Sequence, residues 1–193
     1  QTNTQNPLLK KWTGPYGGVP AFDAYKVSDF KPAIQFAIQE KLNEIAAIAD
    51  NPKAPTFDNT IAALERSGET ISRISTVYGI YRSNLSSPEF NAVDIEMSPK
   101  FSELKDKINQ NKKLFERIEA LYNSKESKKL TSEQQRLIWL YYTNFVREGA
   151  KLNDLDKEKV AKINKELAGL FTKFSQNLLA EEHNQYVALT TES

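Results

Sequence analysis

Cysteine is absent from all 193 residues, which excludes a disulfide framework, a thiolate nucleophile and a thiolate metal site. Histidine occurs once. A zinc centre of the His-Glu-x-x-His kind needs two imidazoles one helical turn apart, so these residues cannot build one. The lone His183, in Glu181-Glu182-His183, reads as a solvated helix end. A Gly-x-Ser-x-Gly elbow and both common glycine-rich phosphate loops are missing, which removes the usual signals of a serine hydrolase or a nucleotide-binding enzyme. No catalytic, cofactor-binding or metal-ligating residue is therefore assigned. A charge excess is lacking too: 26 basic and 25 acidic residues leave a net charge of +1, without the basic surplus of a nucleic-acid surface. The longest apolar run, Leu137 to Tyr142, is far below the ~20 residues of a membrane span.

What is present is helical periodicity. Pro55 breaks an incoming helix, Thr56 or Asp58 can cap a new one, and Ile61, Leu64 and Ala62-Ala63 share a face. Ser67-Gly68 reads as the joint to a second helix, whose apolar row is Ile71, Ile74, Tyr78, Tyr81 and Leu85. Such a pair needs further helices to cover it. Upstream, Ser28 or Asp29 caps a helix with Pro32 in its first turn and a stripe of Ile34, Ile38, Leu42, Ile45 and Ala49. Downstream, Ser87-Pro88 opens a stripe of Phe90, Val93, Met97, Phe101, Leu104 and Ile108, with a kink or break expected near Pro99. Asn111 opens a short helix carrying Leu114, Phe115, Ile118 and Leu121. Thr131 and Gln134 form a capping box for a helix rich in large side chains, expected to be the most buried and to end near Gly149. Asn153 or Asp154 caps the last helix, whose row Val160, Ile163, Leu167, Leu170, Phe174 and Leu178 reads as its core face.

The expected fold class is all-α: a bundle of six to eight helices holding one core or two small ones. Residues 1–27, crowded with Gly and Pro, form an extended arm pinned by Trp12, Tyr16 and Phe22, with a turn at Gly17-Gly18. Residues 28–185 form the helical domain, and 186–193 read as the start of a truncated following segment. Lys125, Lys128 and Lys129 read as solvated loop, and Tyr141 and Tyr142 as core. Arg66, Arg73, Arg82 and Arg147 read mainly as rim residues, a minority of which could meet a peptide carboxylate. The chain opens at Gln1 without a visible signal peptide, which fits a cut boundary better than a removed leader.

The run Pro55-Thr56-Phe57-Asp58-Asn59-Thr60-Ile61-Ala62-Ala63-Leu64-Glu65-Arg66-Ser67-Gly68 resembles the N-terminal helical region of the thimet oligopeptidase family of zinc metallopeptidases, most of all its bacterial peptidyl-dipeptidase branch. Further segments match in order: Asn6-Pro7-Leu8-Leu9, Val19-Pro20-Ala21-Phe22-Asp23, Phe30-Lys31-Pro32-Ala33-Ile34, Asn109 through Ile118, Glu133 through Leu137, Phe145 through Ala150 and Phe174 through Leu179. Asp29 stands where the family usually has histidine. The resemblance implies two helical halves around a deep channel, with zinc held by the half that is not in this sequence. This chain would be a non-catalytic wall or lid that admits only short peptides. Its partners would be the catalytic domain of the same polypeptide and short peptide substrates, with no nucleic acid and no membrane span. The compartment would be bacterial cytoplasm or periplasm. A different class of reading is a stand-alone helical module that holds a peptide or partner helix in a groove.

Overall fold

The computed structural model describes residues 5–15 and 18–184, with side-chain surroundings through 182. Among the described residues seven α-helices follow one another: α1 (Val27–Ala49), α2 (Ala63–Arg66), α3 (Glu69–Asn84), α4 (Pro88–Asn109), α5 (Lys112–Asn123), α6 (Ser132–Arg147) and α7 (Asp154–Asn184). A π-helical turn, Phe57–Ala62, leads into the single turn of α2. No strand occurs among the described residues. The fold is all-α.

Most helix starts follow from side-chain caps. The Thr56, Ser87, Asn111, Thr131 and Asn153 oxygens each accept the backbone N–H three residues on. Helix α1 departs from expectation. It begins two or three residues early, at Val27 after Lys26, because the Asp29 carboxylate reaches back to accept the Lys26 N–H at 2.8 Å. Pro32 therefore lies inside the helix, past its first turn. Nor does Pro99 break α4, which runs through it from Pro88 to Asn109. Gly68, at φ +79°, makes the left-handed joint between α2 and α3, and its N–H donates to the Glu44 carboxylate of α1 at 2.6 Å.

Two apolar cores share α1. The first gathers Leu8, Phe30, Ile34, Ile74, Tyr78, Phe90 and Met97 from the arm, α1, α3 and α4. Phe30 meets Tyr81 edge-on with ring centres 4.8 Å apart and Phe90 at 5.3 Å, the geometry that ring quadrupoles favour. The second gathers Ile45, Ile61, Leu64, Leu114, Ile118, Ile138 and Phe145 from the far end of α1, the π turn, α2, α5 and α6. The arm is not one extended stretch: it holds single 3-10 turns at Pro7–Leu9 and Phe22–Ala24, plus one bridge between Thr13 and Val19. Leu8 and Tyr25 are its buried anchors, Trp12 is partly buried against the first core, and Phe22 is more exposed. Tyr16, Gly17 and residues 186–193 lie outside the described residues.

Two helices face differently from their sequence reading. Helix α6 is not the most buried. Ile138 and Phe145 are inside, but Trp139 and Leu140 are 38% and 39% exposed, because α5 and the π turn cover one side of it only. Helix α7 is turned further. Ile163, Leu167, Leu170, Phe171, Phe174 and Leu178 are between 42% and 66% exposed. The packed side instead carries Ala161, Asn164, Ala168, Thr172, Ser175 and Gln176. At 3.6 residues per turn, this side lies about 120° around the axis from the apolar row.

Candidate functional site

The polar seam between α4 and α7 explains the orientation of α7. Asn164 donates to the Asp106 carboxylate at 2.7 Å, Gln176 to the Asn91 carbonyl at 3.1 Å and to Asp94 at 3.4 Å, and the Ser98 hydroxyl to the Ala168 carbonyl at 3.4 Å. Small side chains at Ala161 and Ala168 leave room for these bonds. Asp94 is only 1% exposed, and it also accepts the Tyr78 hydroxyl and lies 3.5 Å from the Arg82 Nε. A buried carboxylate survives only with such partners. Burial first, and then the bond to Asp94, push the Tyr78 phenol far above its ordinary 10, so it stays a donor. Burial also raises Asp106 above its ordinary 3.8, against the lowering effect of the Asn164 bond.

A second polar anchor was not assigned from the sequence. Arg117 of α5 is buried, and its guanidinium donates to the carbonyls of Asn51 and Lys53 at 2.8 and 2.9 Å, to Asn59 Oδ1 at 2.9 Å and to Thr60 Oγ1 at 3.3 Å. It ties the α1–π-turn connection to the second core. The sequence did carry a signal for both anchors. Asp94 is in phase with Phe90, Met97 and Phe101, and Arg117 with Leu114, Ile118 and Leu121. A charge on the apolar row of a helix marks a buried, partnered group.

Of the arginines singled out, Arg66 donates to the Asp58 carbonyl, Arg73 pairs with Glu69 at 2.8 Å, Arg82 joins the Asp94 group and Arg147 is exposed. They do not converge. Tyr142 stacks on Tyr122 with centres 4.1 Å apart, while the Tyr141 hydroxyl donates to Glu65 at 2.6 Å. Lys129 pairs with Glu126 at 2.8 Å. Lys128 lines a cleft of about 420 Å³ between the end of α5 and α6, together with Tyr122, Asn123, Gln135, Ile138 and Trp139. The Arg136 guanidinium stacks 4.2 Å from the centre of Trp139. With no carboxylate or imidazole in its lining, this cleft can stack or hydrogen-bond an extended chain but lacks an acid–base pair.

Among the described residues, no three His, Cys, Asp or Glu side chains group to hold a metal. Among the same residues, no helix is long and apolar enough to cross a membrane.

The all-α architecture and the two buried polar anchors define a helical domain. Residues 34–157 match the family model of the Neurolysin/Thimet oligopeptidase N-terminal domain, and the chain belongs to that family. Among individual proteins, it is 40% identical over 177 residues to "Dipeptidyl carboxypeptidase" of Escherichia coli (strain K12), a match covering 92% of this chain and 26% of that protein. The enzyme of the same name from Salmonella typhimurium is 35% identical over 91% of this chain and 26% of its own length. "Probable cytosolic oligopeptidase A" of Arabidopsis thaliana is 26% identical over 92% of this chain and 24% of its own length. The chain thus spans about a quarter of the relatives it matches.

Proposed function

We propose that this chain is the non-catalytic N-terminal helical part of a zinc-dependent oligopeptidase that releases dipeptides. Its packed helices form one wall of a substrate channel that restricts entry to short peptides and helps keep water from the reaction. The observation that carries the reading is the 40% identity to a dipeptidyl carboxypeptidase across 92% of the chain, joined to the quarter-length coverage of that enzyme. The donor set agrees: one histidine and no cysteine leave the hydrolytic chemistry to residues outside this sequence.

The test compares the 193-residue chain with the polypeptide encoded together with the sequence beyond it. The longer protein should release dipeptides from a short peptide, spare a folded protein and lose activity to a chelator. The 193-residue chain should release nothing and copurify with no stoichiometric zinc. Dipeptide release by the chain itself, or none by the longer protein, overturns the proposal.

A further inference from the structure

The outer row of α7 is the largest feature that the packing leaves unexplained. Ile163, Leu167, Leu170 and Phe174 follow steps of 4, 3 and 4, and Phe171 and Leu178 widen the row on one side. From Ile163 to Leu178 it runs about 22 Å at the α-helical rise. A shallow trough of about 400 Å³ lies along it, floored by Leu167, Leu170, Phe171 and Phe174. Side chains this large and this exposed, in one contiguous strip, mark a surface that another element covers.

The spacing selects the shape of that element. Alternating steps of 3 and 4 form the seam that a second helix packs against with knobs in holes, at a shallow crossing angle. The remaining side of α7, with Lys162, Lys165, Glu166 and Lys173, is exposed and charged, as a solvent face should be. Helix α7 thus has three sides: a polar one bonded to α4, an apolar one that is open and a charged one for water.

We infer that the open side of α7 is the seam on which the rest of the longer polypeptide docks through an amphipathic helix. This rests on the reading of the chain as part of a longer peptidase. The occupant is argued from length: a relative matched over 92% of this chain is matched over only 26% of its own length, so chain is available to cover the strip. The strip is therefore an internal interface.

The absence of cysteine from this chain makes the test direct. In the full-length protein, Ile163→Cys, Leu170→Cys and Phe174→Cys are made one at a time, with Lys162→Cys on the charged side as the exposed reference. Labelling by a water-soluble maleimide is followed by mass analysis of the α7 peptide. Each apolar position should label at least tenfold more slowly than Lys162→Cys in buffer, and at the same rate in denaturing urea. The three positions are independent, so one variant that fails to fold leaves two that report. Labelling as fast as the reference sinks the inference. Protection that disappears on dilution also sinks it, because the occupant would then be a second copy. Dipeptide release is assayed on the unsubstituted full-length protein. Protection without activity sinks the peptidase reading alone, and activity without protection sinks the seam alone.

Discussion

Arg117 and Gly68 show how much of this structure hangs on single side chains and single dihedrals. The Arg117 guanidinium holds two backbone carbonyls, an amide oxygen and a hydroxyl at the edge of the second core. Arg117→Met keeps the stem's packing but leaves these acceptors short of donors. It should cost about 3 kcal/mol, read as a lower urea midpoint with an unchanged slope. Gly68 sits at φ +79°, where a Cβ is strained, and a built Cβ would also lie 2.8 Å from the Lys41 Cδ. Gly68→Ala should therefore cost about 1–2 kcal/mol, and Gly68→Asn less, because asparagine tolerates the left-handed region. Thermal unfolding of the pair separates backbone strain from simple crowding, since asparagine is the larger residue.

At the scale of elements, α4 and α7 meet through hydrogen bonds made by polar side chains, one of them to the Asp106 carboxylate, so their contact responds to protonation. Burial raises the Asp106 carboxyl above its ordinary 3.8. The sign follows from linkage. A carboxyl whose folded value is raised adds stability that is full below the unfolded value and is lost as pH rises through the folded one. Replacing Asp106 with Asn removes the titration while keeping an oxygen for Asn164. Relative to the native chain, Asp106→Asn should gain stability as pH climbs from about 4 through the next units, and the difference should then level off. Denaturant melts at successive pH values check this. A constant difference would show that folding does not raise the Asp106 carboxyl.

For the whole molecule, two cores and one uncovered strip make opposite forecasts for apolar substitutions. Ile34 is fully buried in the first core, and Ile34→Ala should cost about 3 kcal/mol. The double change Leu170→Glu with Phe174→Glu alters two apolar side chains, yet in the 193-residue chain it should shift stability by no more than about 0.5 kcal/mol, because neither side chain is buried there. Calorimetry of the two variants side by side decides. A large loss from the double variant would mean that the strip is already covered within this chain.

Cap residues other than that of α1, the left-handed glycine, the in-phase rows of α3 as far as Tyr81 and of α4, and the all-α class were legible in the residue order, because each depends on neighbours within one turn. So was family membership, since ordered motifs survive without coordinates. The same order placed α6 too deep and read the α7 row as core. Periodicity reports that a face is apolar, but not which neighbour meets it. That choice belongs to tertiary structure: α4 offers Asn91, Asp94 and Asp106 as polar partners, and α7 turns its amides toward them. Unmet hydrogen bonds cost more in a buried seam than exposed leucine costs at a surface awaiting its cover.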